Sequence, residues 1–168
     1  MSAGDRYTKT YPVSWDQLHR DSRALAWKLL EMDAFKGIIG LARGGLVPAA
    51  IIARELDIRL VDTVCVVSYD GKDQRDEVRI LKSVQGTDGA GWLLVDDLVD
   101  TGNTVKQVRD LLPRAHFATV YAKPAGKPLV DTYVTEVSQD TWILFPWDAE
   151  IQFVDPLALK EPLSSHLR

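Results

Sequence analysis

The chain is poor in cysteine, in positive charge and in long apolar runs. Its 168 residues include one cysteine, Cys65, so no intramolecular disulfide can form. The surrounding VDTVCVVSY predicts a buried strand residue rather than a nucleophile, and a reducing compartment suits it. No stretch approaches the ~18 apolar residues of a membrane span, and MSAGDRYTKTYP has no apolar signal-peptide core. The expectation is a soluble, intracellular protein. A formal net charge of -4 argues against a general nucleic-acid or anionic-membrane binder, so any anionic ligand must be met by local groups. A Walker P-loop is missing, and no GxGxxG follows a strand; the nearest string, GAGWLL, lacks the last glycine and precedes its strand. His19, His116 and His166 show no metal-ligand spacing. Internal repeats and linkers are absent too.

What is present is alternation. A composition of 46% hydrophobic and 26% charged residues suits one globular domain with a real core. Ser14 can cap a helix while Gln17 reaches back, and Trp15, Leu18, Leu25 and Leu29 recur at helical spacing to form its packing face. GIIGLA is too short for a helix and reads as a strand, broken by Arg43-Gly44-Gly45 before the helical LVPAAIIAREL. RLVDTVCVVSY and VRILKSV are strands either side of the polar stretch DGKDQRDE, Asp70 to Glu77, which has almost nothing to bury. WLLVDD, then TGNTVKQVRDLLP, then HFATVYAKP give strand, glycine turn, helix and strand. YVTEV, QDTWILFPWD and the proline-containing tail read as less regular. Strands alternating with helices predict an α/β fold with a mainly parallel central sheet flanked by helices, and ligands at the carboxyl ends of its strands. Both glycine turns lie at such ends.

Residues 93–104, LLVDDLVDTGNT, put three acids where a strand leaves the core. A turn such as Asp100-Thr101-Gly102-Asn103-Thr104 exposes unpaired N–H groups and a partial positive charge, a ready phosphate cradle, with two threonine hydroxyls and a glycine that lets the backbone approach. Asp96 and Asp97 would repel that phosphate unless they face another part of the ligand, for which sugar hydroxyls and Mg²⁺ are natural partners. The plainer alternative stays open on the residues alone: Asp96 and Asp97 end a strand and Asp100 caps a helix.

Apolar strand, two acids, two apolar residues, acid and Thr-Gly-x-Thr together resemble the signature of the type I phosphoribosyltransferases, which use 5-phosphoribosyl 1-pyrophosphate (PRPP). GLARGGLVPAAIIARELDIRLVDTVCVVSYD, VDDLVDTGNT, AHFATVYAKPAGKPLVDTYV and QDTWILFPWD extend the likeness to the bacterial purine enzymes of that family, over nearly everything from Tyr11 to Pro156. The family usually carries serine where Ala42 stands and a second glycine where Asn103 stands; Ala42 removes one hydroxyl from the pyrophosphate site.

The resemblance implies one phosphoribosyltransferase domain over 1–168, with a lid loop at about 70–77 and a purine-recognition segment at about 123–156. It implies transfer of the phosphoribosyl group to guanine, xanthine or hypoxanthine, with Mg²⁺ as cofactor. In that scheme Arg43, Gly44, Arg75, Asp96, Asp97, Leu98, Val99, Asp100, Thr101, Gly102, Asn103 and Thr104 bind PRPP, and Asp97 lies nearest the metal. A cis non-proline peptide at the Arg43 turn belongs to the same pattern. Asp100 and Arg75 are the catalytic residues: Asp100 takes the purine N7 proton, and Arg75 meets the pyrophosphate when the lid closes. Asp100, Lys123, Trp142 and Ile143 contact the base. Spacing alone would make Lys123 a surface lysine and Trp142 a core residue. The resemblance further implies a homodimer or homotetramer in the cytoplasm, with loose peripheral association at the inner face of the inner membrane known among members. A regulator that keeps this fold but binds nucleic acid is the rival; it should show a basic face or an added winged helix.

Overall fold

The computed structural model describes residues 7–69 and 77–148. Arg75 and the rest of the proposed lid before Glu77 lie outside the described residues, as does the purine-recognition segment beyond Asp148.

Ser14 starts α1 (Trp15–Leu29) by accepting the Gln17 N–H at 3.1 Å. The Gln17 side chain donates its Nε2 to the Tyr11 hydroxyl at 2.7 Å. Leu18, Leu25 and Leu29 are buried as expected. Trp15 is not part of that face; it is 54% exposed and meets Trp147 edge-on.

The strand–turn–helix reading holds for β2 (Gly37–Ala42) with α2 (Leu46–Glu55), and for β5 (Trp92–Val99) with α3 (Asn103–Leu111). Pro48 sits in the first turn of α2, where its missing N–H costs nothing. With β3 (Val61–Tyr69), β4 (Glu77–Lys82), β6 (His116–Ala122) and β7 (Thr132–Glu136), these strands form one sheet in the order β4-β3-β2-β5-β6-β7. Every pairing is parallel except that of β4, an antiparallel edge strand on β3. Cys65 is only partly buried in β3. One core cluster joins α1 and α2 to the sheet through Leu25, Ile52, Ile38 and Val95, and a second joins α3 through Val105, Val108, Leu94 and Phe117. The helices therefore cover both faces.

From β2 the chain crosses through α2 to one side of the sheet, and from β5 it crosses through α3 to the other. Between β2 and β5 the order reverses, which opens a crevice at their carboxyl ends. A second small sheet pairs β1 (Lys9–Pro12) with β8 (Thr141–Leu144), parallel, with Thr10 opposite Trp142 and Tyr11 opposite Ile143. The sequence reading left QDTWILFPWD irregular because this strand's partner is supplied from the other end of the chain. Among the described residues no helix is long and apolar enough to cross a membrane.

Candidate active site

The β2/β5 crevice brings the two glycine turns together. The Ala42–Arg43 peptide is cis, Arg43 is exposed, and Gly44 lies so close to Asp97 that a methyl group there would run into the carboxylate. Asp96 Oδ1 accepts the Asp97 N–H at 2.9 Å, and Asp97 Oδ1 accepts the Leu98 N–H at 2.8 Å. Although each aspartate keeps part of its surface exposed, protein atoms crowd both carboxyls. Burial first, then the charge of Asp97, pushes Asp96 well above the ordinary carboxylate range. Burial also raises Asp97, partly offset by hydrogen bonds from the Asp96 carboxyl and the Leu98 N–H. Both carboxyls are therefore held toward the protonated form.

Such a pair fits a hard divalent cation: two adjacent carboxyls supply hard oxygen donors, and a cation beside them would offset the charge that each sets against the other. No cluster of three or more His, Cys, Asp or Glu suited to a metal occurs among the described residues. That donor set suits Mg²⁺, which usually binds through one or two carboxylates and takes its other ligands from phosphates and water.

Beyond Asp97 the strand feeds the glycine turn before α3. Val99 is buried in the second core cluster and its carbonyl accepts the Lys123 N–H at 2.9 Å, so Val99 fastens the turn rather than facing the rim. Gly102 is the N-cap of α3 with φ 84°, a left-handed conformation that glycine adopts freely. Thr101 and Asn103 are exposed and Thr104 is partly so, around the amino end of α3.

Leu98 lines a cavity of about 240 Å³ with Asp100, Lys123, Trp142, Ile143 and Phe145 among others. Lys123 is not a surface lysine: it is 1% exposed, and its Nζ donates to Asp100 Oδ2 at 2.8 Å. Trp142 is not core but 43% exposed, whereas the Ile143 side chain is buried. Two residues that the sequence reading missed complete this site. Gln139 Nε2 donates to Asp100 Oδ1 at 2.6 Å while its Oε1 accepts the Ala125 N–H at 2.9 Å; a backbone N–H can only donate, so the amide orientation is settled. Tyr7 donates its hydroxyl to Asp100 Oδ2 at 2.8 Å. Only the pairing of β1 with β8 could have revealed Tyr7, and nothing local signals that pairing. A separate depression of about 320 Å³, lined by Arg54, Asp57 and Arg59 among others, lies where the chain enters β3, at the opposite end of the sheet.

The arrangement offers an anion cradle, an acid pair suited to sugar and cation, and an aromatic pocket floored by a lysine–aspartate pair. The chain is 69% identical over 157 residues to the xanthine-guanine phosphoribosyltransferase of Desulfotalea psychrophila, covering 94% of this chain and 98% of that protein. It is 66% identical to the enzyme of the same name from Nitratidesulfovibrio vulgaris, covering 94% and 96%. Among solved structures, the purine phosphoribosyltransferase of Pyrococcus horikoshii superposes with a TM-score of 0.74 at 31% identity, covering 88% of this chain and 99% of that one. Residues 14–153 match the phosphoribosyl transferase domain, and on these grounds the chain belongs to the phosphoribosyltransferase family.

Proposed function

We propose that this chain transfers the 5-phosphoribosyl group from PRPP to N9 of guanine, xanthine or hypoxanthine, giving the nucleoside 5'-monophosphate and pyrophosphate in purine salvage. The observation that carries this reading is the pair of buried Lys123 with half-buried Asp100 on the floor of the aromatic cavity, at the start of the turn 100–104. Lys123 donates to the 6-oxo group. Asp100 accepts the N7 proton as N9 attacks the anomeric carbon and the bond to pyrophosphate breaks. Trp142 lies against the ring, and the Ile143 backbone reads the 2-position. The amide groups of 100–104 and the hydroxyls of Thr101 and Thr104 hold the 5'-phosphate. Arg43, the Gly44 amide and Arg75 take the leaving pyrophosphate, while Asp96 and Asp97 orient the ribose hydroxyls.

Asp97, with Asp96 beside it, would hold Mg²⁺ delivered with PRPP; bound there, the ion supplies Lewis-acid stabilisation of the leaving group. The chain works as a homodimer or homotetramer, a reading supported by the exposed apolar residues Trp27, Leu30 and Met32 around the end of α1. The lone cysteine and the lack of a spanning helix among the described residues suit the cytoplasm.

Initial rates of pyrophosphate release from Mg²⁺-PRPP with each of four purines test the proposal. Guanine, xanthine and hypoxanthine should react. Adenine should be slower by about tenfold or more, because its 6-amino group turns donors toward the Lys123 ammonium and leaves both unpaired. Equal rates with adenine and guanine would remove Lys123 from its role. No release with any base, coupled to tight nucleic-acid binding, would favour the regulator instead.

A further inference from the structure

We propose that Tyr7 is a residue of the purine subsite that holds the place of the base until a purine displaces it. The inference rests on the transferase reading for the roles of Lys123 and Asp100. The Tyr7 hydroxyl donates to Asp100 Oδ2 at 2.8 Å, the same oxygen that Lys123 Nζ reaches at 2.8 Å. The Lys123 ammonium lies 4.3 Å from the centre of the Tyr7 ring, and the ring meets Trp142 edge-on at 5.1 Å and 63°. The phenol thus engages all three side chains that a 6-oxopurine would use. Its O–H stands where the N7–H would donate, its ring covers the ammonium that would meet the 6-oxo group, and its edge takes up the indole.

A base cannot share these contacts with Tyr7. Lys123 is 1% exposed and lies under the phenol ring, its Nζ 4.3 Å from the ring centre, and Asp100 Oδ2 already receives both Lys123 and Tyr7. One carboxylate already receives Lys123, Gln139 and Tyr7; the N7–H of a base needs the position that Tyr7 occupies. Of the three, Tyr7 is the one carried on the leading segment rather than on the strands and turns that form the pocket floor. Gln139 is tied to the Ala125 N–H, and Lys123 is buried at the end of a central strand.

The placement of Tyr7 is built rather than incidental. The next residue, Thr8, donates its N–H to the Asp140 carbonyl at 2.8 Å and its hydroxyl to the Asp140 carboxylate at 2.5 Å. Lys9 reaches the same carboxylate at 3.4 Å and opens β1, which pairs with the strand that carries Trp142. Tyr7 also precedes residues 14–153, the stretch matched to the family domain. The leading segment thus adds an aromatic side chain to a site formed by that domain.

When only part of the molecules have the base site open, the apparent affinity for the base falls by that fraction. Loosening Tyr7 should therefore tighten base binding. The test uses the full chain, Tyr7→Phe, which keeps the ring over Lys123 and removes the O–H, and Tyr7→Ala, which removes both; thermal melting checks that each is folded. Guanine is varied at saturating Mg²⁺-PRPP, and PRPP at saturating guanine. The KM for guanine should fall about threefold in Tyr7→Phe and about tenfold in Tyr7→Ala, with the KM for PRPP moving less than about twofold. The required order of guanine KM is wild type above Tyr7→Phe above Tyr7→Ala. Any other order, including the rise expected of a tyrosine that stacks on bound base, overturns the proposal, as does an equal fall for both substrates. Failure of the transferase reading looks different: the wild type would then release no pyrophosphate with any purine.

Discussion

Asp96 holds a carboxyl that burial and its neighbour push well above the ordinary value of 3.8. The folded chain then keeps a proton that the unfolded chain has released. The stability from this group is fully present below about pH 3.8 and is lost as pH rises through the folded value. Asp96→Asn removes that loss and can still accept the Asp97 N–H. Near pH 7, in chelator, this variant should melt about 2–4 °C higher than the wild type, the shift that 1 kcal/mol gives in a domain of this size, while its use of PRPP weakens. A lower melting point would mean that the pair carries no such penalty. At Asp100 the same scale separates chemistry from support. Asp100→Asn should lower turnover by roughly 10²- to 10⁴-fold if the carboxylate removes the purine proton. Gln139→Leu should lower turnover by about tenfold by freeing Asp100 Oδ1, and adding it to Asp100→Asn should cost little more, because both changes act through one carboxylate. Additive losses in the double variant would separate the two residues.

At the scale of elements, the turn into α3 depends on one backbone conformation. Gly102 has φ 84°, and a side chain there would run into Leu129 Cδ1. Gly102→Ala should cost about 1–3 kcal/mol of stability and raise the KM for PRPP by tilting the first N–H groups of the helix. Adding Leu129→Ala relieves the collision but not the dihedral, so thermal melting should show partial recovery; none would mean that the dihedral alone sets the cost. The neighbouring strands carry a further detail. Leu93 and Val95 pack with the first core cluster and Leu94 with the second, yet Leu98 then packs with the first and Val99 with the second. Strict alternation along β5 would have reversed the last two, and the change of phase falls on Asp96 and Asp97. In β6 the same happens between Val120 and Tyr121, both in the first cluster. The acids thus occupy the stretch where the strand's alternation slips by one residue.

At the scale of the whole molecule, exposed apolar side chains among the described residues include a group at the end of α1. Trp27 is 68% exposed and Leu30 54%, both at the end of α1, on the side away from the buried row of Leu18, Leu25 and Leu29. Large exposed side chains grouped in this way mark association surfaces. Trp27→Glu should lower the mass measured by sedimentation at micromolar concentration and leave the melting of the separated subunit nearly unchanged. An unaltered mass would place the contact between copies elsewhere.

Alternating patterns, glycine turns and the acidic block were legible in the sequence, because each is a local contest between burial, dihedral freedom and charge that a few neighbouring residues decide. The α/β class, the two turns at the strand ends, the cap at Ser14 and the glycine that starts α3 at Gly102 were of this kind. Lys123, Trp142 and the β1–β8 pair were not. A lysine at a strand end and a tryptophan in a short apolar run have the same local signature whether exposed or buried. What decided between these was the contact of segments far apart in the chain: Asp100 against Lys123 across 23 residues, and Tyr7 against Asp100 across 93. Burial is a property of the packed whole, and so is the meeting of a leading tyrosine with Asp100 on the floor of the cavity.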